Sequence, residues 1–183
     1  MPRALLCFLF LSGSTYADSL FINVGGGPQV SGSETYLSGG VDYEFWRHER
    51  SKRSAFTLGV SYTHLHSNRG PNKKLHAFSL YPQLVLTPVD KNRFQRWLPE
   101  NSTPYFFVRA LGPTYISEPT IGEREQHNHF TFQAGFGVGL KIQNNRGYEW
   151  DARLAWRHFS NANLYDDNDG IDIPVVISVG ASF

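Results

Sequence analysis

At 183 residues the chain has the length of one domain, and its formal net charge of +1 gives no bulk attraction to nucleic acid. Aromatic residues make up 15 %, with 14 Phe, 9 Tyr and 4 Trp. The apolar residues are dispersed at short intervals, which excludes a bundle of membrane helices, where they would gather in runs of about 20.

The N-terminus predicts an export signal over residues 1–17. Arg3 supplies the positive start, Ala4 to Leu11 an apolar core too short to span a bilayer, and Thr15-Tyr16-Ala17 a small-x-small cleavage site before Asp18. Cys7, the one cysteine, lies inside this segment, so the exported chain 18–183 would carry neither thiol nor disulfide. A lipoprotein anchor on Cys7 is disfavoured, because Leu5-Leu6 stand before it in place of small residues.

From Asp18 onward the sequence alternates with period two. A first strand is expected over 19–28. Leu37, Gly39, Val41, Tyr43 and Phe45 mark a second, and Phe56, Leu58, Val60 and Tyr62 a third. Phe78, Leu80, Pro82, Leu84 and Leu86 form one face of a fourth, in which Pro82 is an oddity. A fifth, over 104–117, has ambiguous faces, since Phe106 and Val108 compete with Tyr105 and Phe107. The sixth, 129–142, is the clearest: Phe130, Phe132, Ala134, Phe136, Val138, Leu140 and Ile142 alternate with polar or glycine positions. It exceeds the usual strand of about 5–6 residues and suits a tilted membrane strand, which needs about 9–11. The seventh covers about 147–160 and the eighth about 171–183, ending on Phe183 in the manner of outer-membrane proteins. The expectation is an all-β, eight-stranded antiparallel transmembrane β-barrel of the outer-membrane type, closed because lipid cannot satisfy a free sheet edge. Both termini would lie in the periplasm, and the hairpin at about 161–170 outside the cell.

The seventh segment carries the chemistry. Tyr148, Trp150, Ala152, Leu154 and Trp156 suit lipid; Glu149, Asp151, Arg153 and Arg157 suit a polar lumen, where opposite charges pair. Continued by twos, the lipid face ends in His158 and Ser160, about 6.6 Å apart along the strand. That span lets an imidazole act as general base to a hydroxyl. Pairing about a centre at Tyr165 sets Asp172 opposite His158, within reach to orient the ring. Counting back from Phe183, however, turns Asp172 into the lumen. A one-residue bulge near Pro174 would return it to the exterior, and that bulge is expected. On spacing alone an interfacial polar pair explains His158 and Ser160 better than a catalytic one.

The stretch His158-Phe159-Ser160-Asn161-Ala162, followed by Asn168-Asp169-Gly170-Ile171 and Asp172, resembles the signature of the lipid A 3-O-deacylase (PagL) family. The resemblance implies an outer-membrane barrel that hydrolyses the ester-linked acyl chain at the 3-position of lipid A on its lipid-facing exterior. It casts Ser160 as nucleophile, His158 as base and Asp172 as orienting acid. Asn168 and a backbone N–H near Asn163 would serve the oxyanion, with Asn161 in support. Asn163 and Asp172 stand where the family often has Gly and Glu. No metal or cofactor is implied; the implied partner is lipid A of lipopolysaccharide in the outer leaflet, and a homodimer is compatible with it. The rival expectations are a non-enzymatic structural or adhesive barrel and another outer-membrane lipid esterase or acyltransferase.

The remaining signals are weaker. Asp166 to Gly170 superficially resembles a calcium loop but lacks EF-hand spacing. His127 and His129 are two apart with no third ligand in view. The bases from Arg47 to Arg53 suit a periplasmic turn. Arg69, Lys73 and Lys74 fall near an outer loop, where they could meet lipid phosphates.

Overall fold

The computed structural model describes residues 18–30, 33–88, 98–144, 146, 148–166 and 168–183; the expected export signal, 1–17, lies outside them. Ten strands occur among these residues: β1 Ser19–Pro28, β2 Thr35–Ser51, β3 Ser54–Ser67, β4 Lys74–Leu86, β5 Ser102–Ile116, β6 Thr120–Ile121, β7 Arg124–Glu125, β8 Phe130–Gln143, β9 Glu149–Ser160 and β10 Ile171–Ser182. Eight close an antiparallel barrel in the order β1-β10-β9-β8-β5-β4-β3-β2, and β6–β7 form a separate small hairpin. Closure is made by β1 on β10, with Leu20 opposite Ala181 and Ile22 opposite Val179. No backbone edge is then left to lipid along that seam. The start of β1 and the end of β10 lie at one mouth with the turn at 52–53; the loops after β1, β3, β5 and β9 lie at the other.

Alternation sorts the walls as expected. Ile22, Val24, Leu37, Phe78, Phe136, Leu154, Ile177 and Val179 are exposed on the exterior, a continuous apolar belt far larger than a soluble monomer carries. The fifth segment resolves into two halves. Tyr105, Phe107 and Arg109 face inward with Phe106 and Val108 outward; after a register slip between Arg109 and Gly112, Leu111 and Tyr115 face outward. The β4–β5 ladder breaks across the same level, between Ser79 and Gln83, and Pro82, with no N–H to donate, falls in the break.

The lumen is filled. Arg109, Arg153 and Arg157 meet Asp42, Glu44 and Asp151: Arg109 Nη2 and Arg157 Nη2 lie 2.7 and 3.0 Å from Asp42 Oδ2, and Arg153 bridges Glu44 at 2.5 Å and Asp151 at 3.1 Å. The equal numbers of opposite charges suit desolvation, which is costly for an unpaired ion. Toward the loop mouth an apolar cluster of Tyr36, Leu65, Leu75, Ile116, Phe159 and Ile171 takes over.

Candidate active site

Beyond Arg157, β9 continues with Phe159 buried inward and His158 and Ser160 half-buried on the exterior. Across the hairpin, Asp172 is the register partner of His158. His158 Nδ1 and Asp172 Oδ1 are 2.9 Å apart, so the shorter acid spans the strands without an extra methylene.

Asp172 reaches the exterior through an irregularity at Pro174. Ile173 pairs with Arg157, but Val176 pairs with Ala155: three steps on β10 against two on β9. The extra residue inverts the parity. Val175, Ile177 and Val179 point outward below it, while Ile173 and Ile171 point into the core above it. Gly27 makes room for the bulge: its φ is +137°, and an added Cβ would stand 2.4 Å from Pro174 Cγ.

A second device was not legible in the sequence. β1 pairs with β10 only as far as Gly26 opposite Val175, so the next stretch of β10 would face no strand. Gln29, buried in the loop after β1, fills the gap. Its Nε2 donates to the Asp172 carbonyl at 2.9 Å and its Oε1 accepts the Asp172 N–H at 3.1 Å. One side-chain amide thus replaces a strand's two ladder bonds.

The imidazole is confined on two further sides. Trp156 stacks on it with centroids 5.3 Å apart and planes 13° from parallel. Gly170 approaches so closely that a Cβ there would lie 2.5 Å from His158 Cε1. The glycine of the Asn-x-Gly motif is therefore needed for space beside the ring.

The loop after Ser160 is knitted by asparagines. The Asn161 N–H donates to Asn168 Oδ1 at 2.9 Å, Asn168 Nδ2 to Asn163 Oδ1 at 2.7 Å, and the Asn163 N–H to Asn161 Oδ1 at 2.9 Å. Ala162 and Asn163 have φ of 56° and 59°, left-handed backbone that an asparagine tolerates. The Asn163 N–H is thus already used. The Ala162 N–H is the one that meets Ser160 Oγ, at 3.4 Å, and Ser160 is not hydrogen-bonded to His158 in this conformation.

The β6–β7 hairpin braces this loop from outside. The Asp169 N–H donates to the Glu125 carbonyl at 2.9 Å, and Gln126 Nε2 donates to the Asp169 carbonyl at 2.5 Å. His127 stacks on Tyr165 at 4.5 Å, whereas His129 bonds the Ile116 carbonyl at 2.9 Å, so the two histidines serve separate partners. Among the described residues no group of three or more His, Cys, Asp or Glu is arranged to hold a metal ion.

The model of the lipid A 3-O-deacylase (PagL) family matches residues 35–178, which include His158, Ser160 and Asp172. No curated protein matches the chain. Among solved structures, the outer membrane enzyme PagL superposes with a TM-score of 0.57 at 18 % identity, over 90 % of this chain and 98 % of that one. Neisserial surface protein A superposes with a TM-score of 0.59 at 14 % identity, over 93 % and 99 %. At such identities the likeness to these structures is one of fold.

Proposed function

Because the chain belongs to the lipid A 3-O-deacylase (PagL) family, we propose that it cleaves the ester-linked acyl chain at the 3-position of lipid A, using Ser160, His158 and Asp172 on its lipid-facing wall. The observation that carries this reading is the 2.9 Å His158–Asp172 contact on the barrel exterior, with Ser160 two residues along the same face. A site turned toward lipid suits an acylated lipid of the outer leaflet and is poorly placed for a soluble ester. Removal of residues 1–17 on export and periplasmic termini belong to the same reading, since they set the loop mouth and the site at the outer leaflet.

The chemistry follows from the donors and acceptors present. Asp172 accepts the Nδ1 proton of His158, which leaves Nε2 as the basic atom. Ser160 Oγ turns from the Ala162 N–H toward Nε2, gives up its proton and attacks the ester carbonyl. The vacated Ala162 N–H, with the Asn168 side-chain amide, then receives the oxyanion. Collapse expels the sugar hydroxyl, which takes the proton from His158 and leaves the acyl group on Ser160. Water, deprotonated by His158, releases the fatty acid and restores the hydroxyl.

Mass spectrometry of lipid A from cells making the parent or Ser160→Ala protein tests this. Loss of one ester-linked chain with the parent and none with Ser160→Ala is expected. Intact lipid A with the parent would favour a non-enzymatic barrel, and continued loss with Ser160→Ala would move the nucleophile elsewhere.

A further inference from the structure

A second polar constellation stands on another part of the exterior. The β3–β4 wall is separated from β9–β10 by β5 and β8 in one direction and by β2 and β1 in the other. Its outward residues are apolar from the termini mouth upward, Phe56 and Val60 on β3, Leu84, Leu80 and Phe78 on β4. Above Tyr62, which pairs with Phe78, the character changes on both strands at one level. His64 pairs with His76, and His66 with Lys74. His64 lies ten residues beyond the start of β3 at Ser54, much as His158 lies nine beyond the start of β9 at Glu149, so both constellations sit near the loop mouth.

These groups are donor-rich, and among the described residues none of the four is ion-paired. The His64 and His76 rings are 4.7 Å apart. Tyr62 Oη is 2.8 Å from His76 Nδ1 and fixes that ring, while His64 Nδ1 is buried with no hydrogen-bond partner. The charged neighbours acting on His64 are His76, Lys74 and His66. Tyr115 of β5 and Ser117 just beyond it adjoin, the latter accepting the His76 N–H at 3.0 Å, and His129 stacks behind Tyr115. Of the loop bases, Arg69 is turned to Glu123 at 3.9 Å, and Lys74 extends the histidine group. An ordinary interfacial belt would account for tyrosines here, but not for three imidazoles and a lysine gathered at one level. Directly below runs an apolar groove of about 580 Å³, walled by Val60, Tyr62, Phe78, Leu80, Tyr115 and Phe130. A lysine and three imidazoles above an apolar channel, at the level where a lipid's phosphate meets its chains, match an anionic lipid in both parts.

We propose that the β3–β4 wall binds a second outer-leaflet lipid of phosphorylated, acylated type, with its phosphate on His64, His66, His76 and Lys74 and a chain in the groove below. This is a holding site in which no bond is broken. It rests on the barrel's place in the outer membrane and not on hydrolysis at Ser160.

The full barrel carrying Ser160→Ala, which cannot turn over substrate in the proposed mechanism, is titrated in detergent micelles with three probes: bisphosphorylated lipid A, the same lipid without phosphates, and inorganic phosphate. Native mass spectrometry counts the bound lipids. Two lipid A molecules per barrel are expected, and His64→Ala/Lys74→Ala/His76→Ala weakens one of them about tenfold or more, as loss of charged hydrogen bonds would. Removing the phosphates from the lipid has the same effect on the Ser160→Ala barrel with the β3–β4 wall intact. Lys74→Glu, at an exposed position, gives the same weakening without disturbing packing. A second lipid held equally by the variants, or equally without its phosphates, overturns the proposal. Inorganic phosphate binding as tightly as the lipid overturns it too, by making the site one for a free anion. A chain that fails to deacylate lipid A yet shows the phosphate-dependent second lipid refutes the hydrolysis and leaves this site standing.

Discussion

Gln29→Met separates the positioning of Asp172 from its chemistry. The substitution keeps the length of a buried side chain and deletes both hydrogen bonds that hold the Asp172 backbone, at 2.9 and 3.1 Å. A neutral hydrogen bond contributes about 1 kcal/mol net, and each stranded backbone group costs about 1–3 kcal/mol. Water at the loop mouth can recover part of that cost. If roughly 1.4–2 kcal/mol appears as lost registration of Asp172 against His158, kcat falls about ten- to thirtyfold, since each 1.36 kcal/mol is a factor of ten. KM should hold, because Gln29 is only 4 % exposed and offers the lipid little surface. The assay is the rate of fatty-acid release from lipid A in mixed micelles, with thermal unfolding of the barrel measured alongside. A folded variant whose kcat stays within twofold of the parent would refute the clamp.

Asp172→Asn keeps the shape and removes the charge that orients His158; kcat is expected to fall about a hundred- to ten-thousandfold, and Asp172→Glu should retain more activity than Asn. Equal activity of Asn and Asp would remove the acid from the mechanism. Gly170→Ala places a methyl where His158 Cε1 stands 2.5 Å away; the displaced ring should cost about a hundredfold in kcat with the barrel still folded, and parent-like turnover would show that the ring has slack. Asp42→Ala leaves Arg109 and Arg157 without the carboxylate they share, a loss of about 3–5 kcal/mol for a broken buried pair. Urea unfolding in lipid reads it, and an unchanged midpoint counts against the lumen network as a source of stability.

Alternation was legible wherever a strand keeps one parity, as β8 does from Phe130 to Ile142. It failed at β5, because the slip between Arg109 and Gly112 leaves no local mark: two apolar faces simply exchange. The slip at Pro174 was legible because two independent counts, forward along β9 and backward from Phe183, gave Asp172 opposite faces, and only a bulge reconciles them. Gln29 carried no such conflict. Its partner is 143 residues away, and a lone Gln after Pro28 has no periodicity to betray it. The β6–β7 brace was hidden for the same reason, since its bonds to Asp169 cross 44 residues of sequence.

On the outer wall of a barrel each polar group must find a partner or pay for desolvation. On β9–β10 the partners are supplied from within: Asp172 for His158, the Ala162 N–H for Ser160, and Gln29 for the backbone at the bulge. That internal satisfaction is what lets His158, Ser160 and Asp172 stand on the lipid-facing wall. The β3–β4 wall departs from this rule. His64 Nδ1 has no partner, and its neighbours His66, His76 and Lys74 are all basic residues. On the proposed readings the internally satisfied wall acts on an acyl ester, and the wall left with an unmatched ring nitrogen takes a phosphorylated lipid.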